Sequence, residues 1–285
     1  MADYEVAIVG FGPVGAVAAC LFGQAGIRTL VIDKSEAIYD KPRAVALDHE
    51  IARVLQGIGL AEALKDCAEP FTDSVYFGAD GRVIKRLTML PEPHPQGWTP
   101  SMVFMQPVLE AAVRDRVRAF PSVSVELGQT LVDLRQDADA ATLDIDGPAG
   151  RKTVTARYAI GCDGASSTVR KLAELPREDL GFDEPWLVVD VLANAQGLEK
   201  LPKTSVQYCE PARPTTYVIC TGAHRRWELR LLEGEDPAEM EKPENVWRLL
   251  ARWITPEDAT LWRSASYRFH ALVGAKWRQD RVFVA

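Results

Sequence analysis

The sequence predicts an α/β fold in which a nucleotide-type βαβ unit is interrupted by a mostly antiparallel β-sheet. Three observations carry this reading. An apolar run, a glycine-rich corner and an alanine-rich stretch open the chain; an Asp80-Gly81 hairpin signal stands between two β-rich runs; and β-branched or alternating runs crowd the segment from Trp186 to Leu232.

Tyr4 to Val9 suits a strand buried on both faces, and Val14, Val17, Ala18, Leu21, Phe22 and Ala25 recur at helical spacing before Gly26 closes the helix. Arg28 to Asp33 is a second buried strand ending in an acid, which completes a βαβ crossover of about 30 residues. Val6 to Ile27 runs 22 residues without a charge, enough to cross a bilayer. Acidic Asp3 and Glu5 precede it in place of a basic region, and Gly-Phe-Gly-Pro interrupts it, so strand, turn and helix fit better.

Gly10, Gly12 and Gly15 form G-x-G-x-x-G at this corner. The first glycine allows the tight turn, the second lets the backbone approach a pyrophosphate, and the third lets helix and strand pack closely. The N–H groups of the helix start then face the phosphates. Pro13 suits the first helical turn because it has no N–H to lose, and Asp33, eighteen residues past Gly15, is placed to bind a ribose diol, with Lys34 beside it as a further nucleotide candidate. An acid at this position disfavours a 2'-phosphate, leaving FAD or NAD; a glycine-rich packing turn is the plain alternative.

After Asp33 the chain departs from a simple alternation of strands and helices. A loop containing Arg43 leads to two helical stretches broken at Gly57 and Gly59, then to the hairpin within "SVYFGADGRVIKRLTM" and the proline-rich "LPEPHPQGWTP". Gln106-Pro107 opens a helix through Ala119. Val123 to Leu127, Thr130 to Leu134, Ala141 to Ile145 and Lys152 to Ile160 read as strands, the last running into "GCDGASSTVR". "WLVVDVLA", "TSVQYC", "TTYVICT" and "RWELRLL" predict a second, antiparallel sheet, followed by a helix near Glu244 to Trp253.

Composition narrows the partners. Of the 285 residues, 47% are hydrophobic and 26% charged, which allows a real core; the net charge is -7 and the basic residues are scattered, so neither nucleic acid nor an anionic membrane is the expected partner. A small molecule is. The five cysteines are odd in number and lack a C-x-x-C pair, and the four histidines lie far apart, so no disulfide framework and no metal is assigned and a cytoplasmic location is expected. A homodimer is left open.

At "GCDGASSTVR" the chain resembles the FAD-dependent aromatic-ring monooxygenases of the p-hydroxybenzoate hydroxylase fold. The motif is a strand running into Asp163-Gly164, then a helix capped by Ser166 or Ser167 with Arg170 in its first turns. "PRA" at Pro42 to Ala44 resembles the loop that brings an Arg to the flavin, and Gln106 sits where the family has a polar residue at FAD. "QYCEPARPTTYV", "HRRWELRLL" and "YRFHALVGAKWRQDRVFVA" are similar to the 3-(3-hydroxyphenyl)propionate hydroxylase branch. The resemblance implies a Rossmann-like FAD-binding domain made of residues 1–73, 98–182 and 267–285, and a substrate domain made of the 74–97 hairpin and residues 183–266.

It also implies Gly10, Gly12, Pro13, Gly15, Asp33, Lys34, Arg43, Gln106, Asp163 and Gly164 as FAD-binding residues. The activity implied is hydroxylation of a phenolic acid such as 3-(3-hydroxyphenyl)propionate with NADH or NADPH and molecular oxygen, through a flavin C4a-hydroperoxide. Arg226 is the candidate cation near the flavin or an anionic substrate, although Arg225 alternates with it and only one can face the site. Tyr217 and Tyr208 are candidates to meet a phenol, with core-filling strand tyrosines as the plain alternative, while His224, His270 and buried Cys162 read as structural. Family members continue past a strand like "RVFVA" with a Gly-Asp flavin motif, so the chain reads as an N-terminal piece of a longer enzyme, its own FAD retention and turnover left open. A silent flavin or ligand-binding module, or another FAD oxidoreductase of the same fold, is the alternative; the pocket Lys and Trp-rich motif of a halogenase are not found.

Overall fold

The structure, a computed structural model, describes residues 2–285. β1 (Tyr4–Val9), α1 (Pro13–Gln24) and β2 (Thr29–Asp33) form the expected βαβ unit. The uncharged stretch is therefore a strand, a turn and a helix, and no helix among the described residues is long and apolar enough to cross a membrane. β3 (Ala46–Asp48), α2 (His49–Gly57), α3 (Ala61–Cys67) and β4 (Ala68–Pro70) follow, then the hairpin of β5 (Ser74–Phe77) and β6 (Val83–Leu87). The Asp48 carboxylate caps α2 by accepting from the Ile51 N–H at 2.9 Å.

β7 (Ser101–Phe104) and α4 (Gln106–Val117) return the chain to the first layer, and β8 (Val123–Leu127), β9 (Thr130–Gln136), β10 (Ala141–Gly147) and β11 (Gly150–Gly161) complete most of its sheet. After α5 (Thr168–Leu172) come β12 (Arg177–Ala193), α6 (Ala195–Lys200), β13 (Ser205–Tyr208), β14 (Thr215–Ile219) and β15 (His224–Arg230). α7 (Pro237–Met240), α8 (Pro243–Leu250), β16 (Ala259–Gly274), β17 (Arg278–Gln279) and β18 (Val282–Val284) close the chain.

In the first sheet β18, β11, β1, β2 and β8 run parallel in that order, while β9 and β10 form an antiparallel extension on the first half of β11. Successive residues of β1 serve opposite faces: Val6 and Ile8 pack with α1, α2 and α4 through Ala16, Leu55 and Val113, whereas Ala7 and Val9 pack with Leu143, Ala156 and Val169. Burial on both faces is what an unbroken apolar strand requires.

The second sheet has seven strands in the order β16, β12, β15, β14, β13, β5, β6, all antiparallel except the β13–β5 pair. β12 and β16 run past the limits expected at 183 and 266, starting at Arg177 and ending at Gly274. A small sheet, β3-β7-β4, was not apparent from the sequence. It matters for the site, because pairing of Ala46 with Val103 brings the 42–45 loop against the start of α4.

The second core lies on one face of the seven-stranded sheet, where Leu187, Val189, Tyr217, Trp227 and Leu229 meet Met240, Val246 and Leu250 of α7 and α8. Trp227 is fully buried and its indole N–H has no protein partner. Trp227→Ala should cost about 3–5 kcal/mol in urea unfolding. Trp227→Phe should cost markedly less, because it removes less volume and also removes an unsatisfied donor.

Candidate functional site

The glycine corner fills itself on two sides and stays open on the third. Gly10 has φ +102°, and a Cβ there would stand 2.3 Å from the Cys162 carbonyl oxygen; one at Gly15 would stand 1.9 Å from that of Gly10. A Cβ at Gly12 would meet nothing within 4 Å. Gly12 is also the N-cap of α1, with no side-chain cap, Pro13 following and no acid in the first turn. The first N–H groups of α1 thus point past a bare backbone.

Asp33, at the end of β2, holds this corner in place. One of its oxygens accepts from the Phe11 N–H at 2.6 Å and the other from the Ser35 N–H at 2.7 Å. Lys34 beside it is exposed. Asp163 closes the corner from β11: one oxygen accepts from the Thr168 and Val169 N–H groups at 2.6 and 3.1 Å, and the other is buried without any partner. Gly164 follows at φ +78° with open space on its Cβ side, and Ser167 caps α5 through the Arg170 N–H. Burial above all, with the adjacent Asp163, pushes the Cys162 thiol up to about 11, so it is an inert filler.

The 42–44 loop is held from both sides through its backbone. The Gln106 side-chain oxygen accepts from the Arg43 and Ala44 N–H groups at 3.0 and 2.8 Å. Gln106 itself is buried and donates to Glu110, which pairs with Arg114 at 2.7 Å. From the other side, Arg226 donates to the Pro42 carbonyl at 2.6 Å and the Arg43 carbonyl at 2.8 Å, and Arg263 donates to Pro42 at 2.9 Å. The Arg43 side chain is exposed and, among the described residues, in no ion pair; its guanidinium lies 5.8 Å from the Tyr39 ring centre.

Asp190 organises this second set. It is 0% exposed, and its carboxylate accepts from Arg226 at 2.8 and 3.1 Å, from His224 Nε2 at 2.7 Å and from Arg263 at 3.5 Å. Burial works to raise its pKa, but the hydrogen bonds from His224 and Arg226 and the charge of Arg226 outweigh it and hold the carboxyl below its ordinary range.

The surroundings of Arg226 and Tyr217 bear on the roles expected of them. Arg226 is only 3% exposed and commits four of its five N–H groups to Asp190, Pro42 and Arg43, so it positions the loop and is not a free cation for an anionic substrate. Tyr217 is paired in register with Trp227, on the opposite face of the sheet from Arg226; it is 0% exposed and its hydroxyl donates to the Pro202 carbonyl. Burial pushes this phenol up to about 12. Tyr208 likewise accepts from Trp253 and stacks on Phe77. Asp190 and Arg263 were missed, although one acid inside the apolar "WLVVDVL" signals a buried carboxylate that needs cationic partners.

Bare glycine backbone, an uncapped helix start and an orphaned Asp163 oxygen fit a dinucleotide. A cleft of about 430 Å³ lined by Gln136, Asp137, Tyr158, Arg278 and Arg281 lies elsewhere, beside β17 at the edge of the first sheet. The FAD binding domain family matches residues 3–285. The chain belongs to that family.

Relatives of this FAD binding domain include a probable NADH-specific resorcinol 4-hydroxylase of Rhodococcus jostii RHA1, 34% identical over 285 residues that cover 99% of the chain and 53% of the relative. A 3-(3-hydroxy-phenyl)propionate/3-hydroxycinnamic acid hydroxylase of Paraburkholderia xenovorans LB400 is 33% identical over 283 residues, covering 99% and 44%. The chain spans about half the length of these curated relatives. Among solved structures, the ternary complex of aklavinone-11 hydroxylase with FAD and aklavinone superposes with a TM-score of 0.85 at 21% identity, over 100% of this chain and 57% of that one. The p-nitrophenol 4-monooxygenase PnpA of Pseudomonas putida DLL-E4 gives 0.84 at 24%, over 99% and 72%, and the Diels-Alderase PyrE3 gives 0.75 at 22%, over 98% and 58%. These similarities show the fold.

Gly12→Ala should unfold within about 1 kcal/mol of wild type yet weaken FAD binding at least about tenfold in a flavin-fluorescence titration; Gly15→Ala should lose stability as well. Asp190 gives a separate outcome. A carboxyl depressed in the folded protein adds stability above its unfolded pKa of about 3.9 and loses it as pH falls through the lower folded value. The urea midpoint of wild type should therefore drop below about pH 4, and Asp190→Asn should be weaker at pH 7 with a flatter acid limb.

Proposed function

We propose that this chain serves FAD-dependent hydroxylation of a small phenolic compound, with NADH or NADPH as reductant and molecular oxygen as co-substrate. The reading rests on one observation above all: the loop bearing Arg43 is pinned between Gln106 of the nucleotide layer and Arg226 and Arg263 of the seven-stranded sheet. A cofactor gripped at the glycine corner and reaching this loop meets the polar face of that sheet, where a substrate can be held. Relatives named as resorcinol and 3-(3-hydroxy-phenyl)propionate hydroxylases support the substrate class.

Gly10, Gly12, Pro13 and Gly15 would hold the diphosphate at the start of α1, and Asp33, both of whose oxygens keep a free lone pair, would accept from the ribose. Gly164 leaves open backbone, and the unpartnered Asp163 oxygen would take a donor of the cofactor or the visiting nicotinamide. Lys34 and the unpaired Arg43 would supply positive charge to the phosphates or the ring system. Bound FAD supplies the redox chemistry, accepting hydride from the nicotinamide and activating oxygen. The protein's part is to fix the loop, exclude water and orient the phenol. All five cysteines are free, in keeping with the expected cytoplasmic location.

The test is oxidation of NADH or NADPH by the FAD-loaded protein with and without phenols. Addition of a phenol should accelerate reductant consumption and yield a product with one added oxygen atom. A rate indifferent to every phenol overturns the reading.

A further inference from the structure

The face of the seven-stranded sheet that carries Arg226 continues into a row of side chains in register across it. Lys85, Tyr76, Gln207, Thr216, Glu228 and Val188 stand side by side from β6 to β12. Side chains paired in register share a face, and Glu228 lies two residues beyond Arg226 on β15, so it shares the face directed at the 42–44 loop. Thr216 is satisfied by Gln207, to which it donates at 2.7 Å. Glu228 is half-buried, and among the described residues its carboxylate has neither a hydrogen bond nor an ion pair. Its oxygens are not among the sealed, unpartnered atoms, so they reach open space.

The sheet's own arginines on this face are spent. Arg226 and Arg263 are bound to Asp190 and the loop carbonyls, and Arg230 pairs with Glu184 at 3.0 Å. Lys85 sits over the Tyr76 ring four strands from Glu228, about 19 Å at ordinary strand spacing and beyond the reach of unscreened attraction. Burial lifts the Glu228 carboxyl above its ordinary range, opposed by Arg226 and helped by Asp190. A half-exposed acceptor that no protein donor engages is open to water or to a ligand's donors.

We propose that Glu228 accepts a hydrogen bond from a hydroxyl of the aromatic substrate, and that the site takes an uncharged dihydric phenol in preference to a phenol bearing a carboxylate. The inference rests on the phenol-hydroxylase reading above and deepens it. A substrate carboxylate brought to Glu228 meets a carboxylate and no free guanidinium of the sheet, the unpaired Arg43 of the facing loop being assigned above to the cofactor, whereas a ring hydroxyl makes a charge-assisted bond.

Calorimetric titration of the FAD-loaded chain with three probes tests it: resorcinol, 3-(3-hydroxyphenyl)propionate, and 1,3-dimethoxybenzene, which keeps the ring and loses both donors. Resorcinol should bind at least about tenfold more tightly than either of the others. Glu228→Gln should weaken resorcinol about tenfold or more while leaving the carboxylate probe unchanged or improved. Its thermal midpoint at neutral pH should be no lower than wild type, since it removes a half-buried unpaired charge, an outcome that a merely structural Glu228 would not give. Tighter binding of the carboxylate probe by wild type, or an equal loss for all three probes in the variant, overturns the proposal. Should the variant not fold, the wild-type comparison of the three probes decides alone. Selective resorcinol binding without faster NADH oxidation sinks the hydroxylase reading and leaves this one standing; phenol-stimulated oxidation with preference for the carboxylate probe does the reverse.

Discussion

One buried carboxylate fixes how the 42–44 loop of the nucleotide layer meets the seven-stranded sheet. Asp190 sits mid-strand between the apolar Val189 and Val191, where an unpaired charge would be untenable, and it gathers Arg226, Arg263 and His224 around itself. The two arginines then have N–H groups left for the Pro42 and Arg43 carbonyls. Such a cluster adds little net stability compared with an apolar packing of similar volume, yet loss of one partner costs about 3–5 kcal/mol because it strands the others. Its value is positional: it fixes where the loop stands relative to the sheet.

The glycine corner works by a different constraint. Gly10 and Gly15 are fixed by contact with neighbouring backbone, so those two positions answer to packing. Gly12 answers to nothing within the protein, and it is there that fold and ligand separate. Fold similarity does not settle chemistry, since the same architecture appears in hydroxylases and in a protein described as a Diels-Alderase. The distribution of spent and unspent polar groups on the sheet face is what narrows the function.

Local signals were legible in the sequence and long-range ones were not. The βαβ unit, the Asp80-Gly81 hairpin and the capped turn at Asp163 each lie within a few residues of their causes, and each stands where the pattern put it. Alternation showed that Arg225 and Arg226 face opposite ways, but not which one meets the loop, because that depends on Asp190, 36 residues away, and Pro42, 184 residues away. Which face Tyr217 serves was hidden for the same reason. A tyrosine on a strand reads alike on either face until the helices covering one of them are placed. The reach of β12 beyond the expected boundary was hidden because its start is exposed and mostly charged, and that of β16 because its end, with Ala271, Leu272 and Val273, was assigned by the resemblance to the nucleotide layer.

The β5–β6 hairpin belongs by pairing to a sheet whose other strands lie far along the chain. Thr72, just before it, bonds to Ser205 at the start of β13, 133 residues later. At ribosomal rates of about 5–20 residues per second, the hairpin emerges on the order of ten seconds before the strand it docks against exists. During synthesis, Val75, only 4% exposed in the folded sheet, must therefore wait in solvent beside the unfilled edge of β5. The nascent chain offers a sticky β-ribbon to chaperones and to its siblings alike, and closing that long loop is the natural late step of folding.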